Sequence, residues 1–312
     1  MSIAETPIAR PEGALRKRIG REWQLYLLCL PAVIYFFIFH YIPMYGLQIA
    51  FKDYSTMDGI LGSEWVGFRH FRYFLNSFQF IRVLRNTIVL SFYQVFAGFP
   101  VPVILALLLN QTRSMKFKKL VQTVTYAPHF ISIVVLVGML YLFLSPSSGF
   151  VNEILALFNI EPIFFFGQAQ WFRHIYVLSD IWQNSGWNMI IFLAALSSVP
   201  PELYEAAIID GATRVQRMRY IDFNYVLPTA IIMLILRMGR VMNLGFQKAY
   251  LMQTDLNLGT SEIINTYVYK VGLLGGQFSY AAAIGFFQTI VNIALVFTVN
   301  RIARKVGDSS LW

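Results

Sequence analysis

The chain has 312 residues, of which 57% are hydrophobic and only 13% charged, and its mean hydropathy is positive. Soluble domains are more polar than this, so the composition excludes an ordinary water-soluble enzyme or binding module and indicates an integral membrane protein. The net charge of +9 would suit a nucleic-acid partner, but no basic stripe interleaved with aromatics occupies one soluble face, and the single cysteine, Cys29, has no partner for an internal disulfide.

Residues 1–22 carry Pro7, Pro11 and Gly13 followed by Arg16, Lys17, Arg18 and Arg21, the pattern of a mobile tail that becomes helical near a membrane. A hydrocarbon layer needs about 20 apolar residues of helix, and 23–51 supplies the first such run. A cleaved signal peptide has an apolar region of only about 7 to 15 residues, so this run is read as a retained span. Between 52 and 85, charges alternate with Trp65, Phe68, Phe71, Tyr73 and Phe74, as in short helices lying on the outer surface. Further spans are predicted at 86–110 and 120–144, joined by Arg113, Lys116, Lys118 and Lys119. Pro31, Pro43, Pro100, Pro102 and Pro128 lie in or near these runs and predict bends, since each removes an intrahelical donor.

A second outer segment, 145–173, contains Pro146, Gly149, Pro162 and Gly167 with few charges and is expected to fold against the bundle. A fourth span is predicted at 181–201. A fifth fits 225–246 if Arg237 and Arg240 are allowed inside it, and a sixth fits 271–300. The fold class is therefore all-α, a polytopic membrane protein of six transmembrane helices within 23–302, with tails at 1–22 and 303–312.

Charge placement orients the bundle. Fifteen of the 25 basic residues fall before span one, between spans two and three, between spans four and five, or after span six. The opposite side has Lys52, Arg69, Arg72, Arg82, Arg85, Arg173, Lys248 and Lys270, spread over longer loops. By the positive-inside bias, both termini and the loop 202–224 are expected in the cytoplasm.

That loop is a charged cassette. Glu202, Glu205, Asp210 and Asp222 alternate with Arg214, Arg217 and Arg219, while Ala206, Ala207, Ile208, Ile209, Ala212, Val215 and Met218 form a discontinuous apolar face. The pattern predicts a short amphipathic helix, a break at Gly211 and a second helix. Bundle connections usually run only about 2 to 8 residues, so the extra length calls for a role. Docking a partner and covering the bundle's own end both fit the composition.

Polar side chains recur inside the spans, where ionisable groups are costly and usually face a cavity or a partner. Arg237, Arg240, Asn243 and Gln247 are expected to form a ladder along one face of span five. Gln288 and Asn292 on span six, and Asp180, Asn184 and Asn188 on span four, repeat at i, i+4. These stripes are candidates for a wet substrate pathway, and equally for polar bonds that knit helices together. Trp182, Trp187 and Phe246 lie near them and offer aromatic faces on which a ring could stack. Two arginines beside a pathway suit an acidic solute. His40, His70, His129 and His174 are scattered, so no metal site is expected. No Gly-x4-Gly-Lys-Ser/Thr phosphate loop and no catalytic constellation can be argued, so no enzymatic activity is expected of this chain.

Glu205-Ala206-Ala207, Asp210-Gly211-Ala212, Gln216, Ile221 and Pro228, at their spacing between two spans, resemble the cytoplasmic loop of ABC-importer permeases of the maltose type. Tyr41-Ile42-Pro43-Met44-Tyr45-Gly46, Ile235-Leu236-Arg237-Met238-Gly239, Thr266-Tyr267-Val268-Tyr269, Ser279-Tyr280-Ala281-Ala282-Ala283 and the closing Ser310-Leu311-Trp312 extend the resemblance to the complex oligosaccharide and polysaccharide branch, including alginate-type importers. The resemblance implies a type I importer bundle in a bacterial inner membrane. It also implies a second homologous permease, two ATP-binding subunits that carry ATP and Mg, and an extracytoplasmic solute-binding protein. Glu205, Ala206, Ala207, Asp210, Gly211 and Ala212 would then contact the ATPase, and no cofactor would be bound by this chain. One departure stands out: Phe223-Asn224 occupy the place where the family usually has Leu-Pro. A self-contained secondary transporter or channel is the rival reading.

Overall fold

The computed structural model describes residues 21–306. The N-terminal tail at 1–22 and the C-terminal tail at 303–312 fall mostly outside the described residues. The structure is almost wholly helical, with four helices long and apolar enough to cross a membrane and two bent pairs that bring the number to six.

Helix α1, Trp23–Phe51, is apolar on all sides, and none of its most hydrophobic stretch is buried within the chain. Only its last turn engages the bundle, where Ala50 is covered by the sixth span. A two-residue hairpin follows, β1 Lys52–Asp53 pairing antiparallel with β2 Glu64–Trp65. The expectation of helices alone in the segment 52–85 is thus corrected. Lys52 explains the hairpin, since its Nζ donates to the Ile60 carbonyl at 2.6 Å and lies 5.0 Å from the Trp65 ring. Helix α2, Arg69–Leu75, packs beneath it, and Arg69 reaches Asp53 at 2.5 Å.

Span two is longer than expected. Helix α3, Phe78–Asn110, takes in Arg82 and Arg85, and the chain passes Pro100 without a break because that proline starts a fresh turn where no amide partner is needed. Span three is two helices, α4 Met115–Phe130 and α5 Ile133–Phe143, set at 100°. The elbow follows Pro128, and the Ile131 carbonyl it leaves free accepts from Gln183 Nε2 at 2.8 Å. Ser132 caps α5 by accepting from the Val135 amide.

Helix α6, Phe150–Leu157, lies in the segment 145–173, which folds against the bundle as expected, with Phe165 and Phe166 in the core. Span four, α7 Ala169–Leu196, starts well before residue 181 and touches most other helices. Its early start is explained by partners for its polar residues, as Arg173 donates to Asn86 at 3.0 Å and Tyr93 meets His174 at 2.9 Å. At its other end the chain turns by 78° into α8, Pro201–Ile209.

Helix α9, Arg214–Met238, is one continuous helix, so the second half of the cassette is the end of span five and not a separate helix. Phe223 and Asn224 keep their amides within it, and the Asn224 side chain donates to the Tyr220 carbonyl at 2.7 Å. Span five ends at Met238, which corrects the predicted 225–246. Beyond it the backbone is irregular to Gly245, and side chains supply the bonds a helix would have made. Ser91 donates to the Val241 carbonyl, Asn292 accepts from the Met242 amide, and Asn265 donates to the Leu244 carbonyl. Irregular backbone at such depth is tolerated only where protein covers it in this way. The chain then folds back through α10, Phe246–Leu251, and α11, Leu258–Ser261, held by Asn257 and Thr254 to the Phe166 carbonyl.

Helix α12, Ile264–Tyr269, runs into a π turn, Lys270–Leu274, and stops at Gly276, whose φ of 69° suits glycine. Span six is therefore α13, Phe278–Lys305, and not 271–300. Between α3, α7 and α9, the side chains of Val103, Ala106, Met189, Phe192, Leu196 and Val226 close a core beside the cassette.

Candidate functional site

Helix α8 ends in a paired bonding pattern. The Ala212 amide donates to the Ala207 carbonyl at 2.8 Å and the Gly211 amide to the Ile208 carbonyl at 3.1 Å, with Gly211 at φ 77°. This cap needs a left-handed residue, which is why glycine stands there. Thr213 and Gln216 then form a reciprocal capping box that starts α9. The outcome is a rigid, tight corner. Glu205, Ala206, Asp210 and Gly211 are exposed on it, Ala207 and Ala212 are half-buried, and Ile209 is 85% exposed. No atom lies within 4 Å of where a Gly211 side chain would begin. An apolar tip directed away from its own bundle disfavours the reading that the cassette merely covers the bundle end.

One cassette residue behaves unlike the rest. Asp222, read from sequence as part of the charged surface, is completely buried. Tyr204 of α8 donates its hydroxyl to Asp222 Oδ1 at 2.5 Å, Gln111 donates to Oδ2 at 2.6 Å, and Asn110 donates to the Tyr204 hydroxyl at 3.2 Å. Burial and the adjacent carboxylate push the Tyr204 phenol up to about 12. Nothing in the local sequence separates Asp222 from its exposed neighbours except its i, i+4 register with buried Val226.

The predicted pathway residues sort into three places. Asn188, Arg237, Arg240 and Asn243 line one cavity of about 470 Å³. Asp180, Asn184 and Gln247 line a second of about 490 Å³, and Gln94 and Gly245 belong to both. Because span five ends at Met238, Arg240, Asn243 and Gln247 sit on the irregular segment and α10, so the expected helical ladder is not formed. The loop nonetheless returns them to the same space. Gln288 and Asn292 are buried, where they bond to the backbone and side chains of residues 242, 243 and 265. Their bonds hold the end of span five in place, and Asn292 also borders a third, smaller cavity with Asn243.

A continuous polar chain joins the two larger cavities. Arg237 donates to the Gln94 carbonyl at 3.2 Å, and Gln94 donates to Asp180 Oδ2 at 2.7 Å. Asn184 donates to Asp180 Oδ1 at 2.9 Å and lies 3.0 Å from His129 Nδ1. His129 in turn stacks on Trp187. Trp187, Trp182 and Phe246 line neither cavity; Trp187 borders the second through His129, and Phe246 packs on Tyr250 and Tyr269.

Sequence reasoning missed Gln94, His129 and Lys248. Lys248, a topogenic loop charge by its sequence position, is buried, with Nζ donating to the Tyr176 carbonyl at 3.0 Å and the side chain lining the second cavity. Arg237, Arg240 and Lys248 face the cavities against one carboxylate, Asp180, so the lining is electropositive. Among the described residues no group of histidine, cysteine and carboxylate side chains could hold a metal.

Residues 79–308 match the family described as binding-protein-dependent transport system inner membrane component. The chain belongs to this family. It is a multi-pass membrane permease, similar across its length to characterised transport proteins. It is 44% identical over 295 residues to the polygalacturonan/rhamnogalacturonan transport system permease protein YteP of Bacillus subtilis, covering 95% of this chain and 92% of that one. Protein LplB of the same organism is 44% identical over 294 residues, covering 94% of this permease and 92% of LplB. A bacterial alginate ABC transporter, solved in complex with its alginate pentasaccharide-bound periplasmic protein, contains a chain of 40% identity and TM-score 0.87, covering 95% of this permease and 99% of that chain.

Proposed function

We propose that this permease forms half of the translocation path of an ATP-driven importer for a complex oligosaccharide or polysaccharide. A second homologous permease supplies the other half, two ATPase subunits carry ATP and Mg, and an extracytoplasmic binding protein delivers the glycan. The cassette at 202–224 and both termini lie in the cytoplasm. The observation that carries this reading is the exposed corner at α8, a rigid apolar and acidic tip with no cover from its own chain. Glu205, Ala206, Ala207, Asp210, Gly211 and Ala212 dock on the ATPase, and its closure moves the attached spans.

Arg237, Arg240, Asn243, Gln247, Asp180, Asn184, Asn188 and Trp187 line or border the glycan path, while Gln288 and Asn292 support its wall. The electropositive lining favours an acidic glycan, and a solved neighbour of 41% identity is involved in import of the acidic polysaccharide alginate. In reconstituted importer, Glu205→Lys or Gly211→Pro is expected to uncouple ATP hydrolysis from uptake while leaving the permease in the membrane. Wild-type coupling in both variants, or sugar movement by vesicles holding this chain alone, would overturn the reading in favour of a self-contained carrier or channel.

A further inference from the structure

A lever requires a stiff joint, and α8 has little that could make one. None of its residues is fully buried, so its apolar packing on the bundle is slight. Tyr204 is its deepest polar attachment, half-buried at the edge of the core formed by α3, α7 and α9. The hydroxyl of Tyr204 ends on Asp222, inside a π turn, Met218–Asp222, at the start of span five. π turns are rare and recur at functional positions.

The carboxylate is costly where it sits. It is 0% exposed, and among the described residues no basic side chain forms an ion pair with it. A buried carboxylate outside an ion pair is disfavoured against an apolar side chain of similar size, and here the Arg217 charge acts on the Tyr204 that bonds it. Both of its oxygens are used, by donors on two other elements: Tyr204 from α8 and Gln111 from the end of α3. Hydrogen bonds to a charged acceptor are short and directional, so this arrangement fixes three elements at one point.

We propose that the Asp222 carboxylate is the joint through which movement of α8 reaches spans two and five. Asp222 is a positioning residue, acting through Tyr204 and Gln111. The proposal rests on the reading that α8 docks on an ATPase. It adds that the motion is delivered through one buried carboxylate instead of through the apolar contacts around it.

The test uses the complete importer in vesicles, with binding protein and sugar, and reads retention of the ATPase subunits, ATP hydrolysis and sugar moved per ATP. In Asp222→Asn the carboxylate charge is lost and one of its two acceptor oxygens becomes an NH2 donor, so both charge-assisted bonds are replaced by neutral ones at best. The ATPases should stay bound, and sugar per ATP should fall about tenfold, the scale of losing one charge-assisted bond. Combining Asp222→Asn with Gln111→Glu restores a donor and acceptor in exchanged places and should return the ratio to near wild type. Tyr204→Phe, which preserves shape, should lower the ratio as Asp222→Asn does and serves if the latter fails to assemble. A wild-type ratio in Asp222→Asn, or in Tyr204→Phe where only that variant assembles, overturns the proposal, as does an assembled double variant that stays uncoupled. Glu205→Lys and Gly211→Pro run alongside separate the two readings: wild-type coupling in both removes the docking reading, whereas uncoupling in either with a silent Asp222→Asn removes only the joint.

Discussion

His129 lies flat against Trp187, with ring centroids 4.6 Å apart and planes 6° from parallel. The pair ties the elbow of span three to the middle of span four, and Phe130 closes on the same indole edge-on at 5.7 Å. Removing the indole strips the elbow of its main aromatic contact, worth about 0.5 to 1.5 kcal/mol beyond the area it buries. Trp187→Ala is expected to lower uptake severalfold with the complex still assembled, and Trp187→Phe to retain most of it. Uptake by membrane vesicles checks this, and equal loss in both variants would argue against a stacking role.

Spans three and four cross almost backbone to backbone at Gly186. A Cβ added there would lie 2.0 Å from the Thr125 carbonyl oxygen, so the helices must separate to admit it. Overpacking of this kind costs about 1 to 3 kcal/mol. Gly186→Ala should lower the thermal midpoint of the purified protein in detergent. Gly138→Ala, where nothing lies within 4 Å, should leave it unchanged.

Glu262 holds the ends of two helices together, reaching Arg82 at 2.5 Å and Lys270 at 3.2 Å from a largely buried position. Removing one member of a buried ionic cluster leaves the others uncompensated, at a cost of about 3 to 5 kcal/mol. Partial exposure of Arg82 and Lys270 discounts that figure to about 1 to 3 kcal/mol. Glu262→Gln should reduce the amount of folded permease in the membrane, measured by fluorescence-detected gel filtration, and Glu262→Asp should recover part of it.

Arg240 is exposed on the irregular segment beside span five and lines the first cavity. If its charge reads the cargo, Arg240→Ala should depress uptake of an acidic oligosaccharide about tenfold more than that of a neutral one, the scale of one charged contact. Equal loss of both in binding-protein-dependent uptake would assign the residue to folding or gating.

The six spans were legible because a bilayer demands long apolar helices, and runs such as 23–51 have no other use. Their limits were less so. Residues 169–180 look like loop because Arg173, His174 and Asp180 are polar, but each finds a partner on α3, which no local pattern reveals. The opposite error arose at 239–245, apolar enough to extend span five yet released from helix by the side chains of Ser91, Asn265 and Asn292. Lys248 was hidden for the same reason: a chain that folds back into the bundle carries a loop residue into the interior. The exposed corner at Gly211 was legible, because glycine after a short helix marks a local, left-handed cap. Asp222 was not, since its burial depends on Tyr204 and Gln111, which approach from other helices.

With none of its most apolar stretch covered by the rest of the polypeptide, α1 offers its whole circumference to what surrounds the bundle, lipid or a companion permease. Within this chain only the final turn at Ala50 makes a specific fit, and the rest of the helix has the length and hydrophobicity to cross a bilayer. During synthesis such a helix can partition into the bilayer before any later helix exists, leaving the remaining five to assemble beside an anchor already in place.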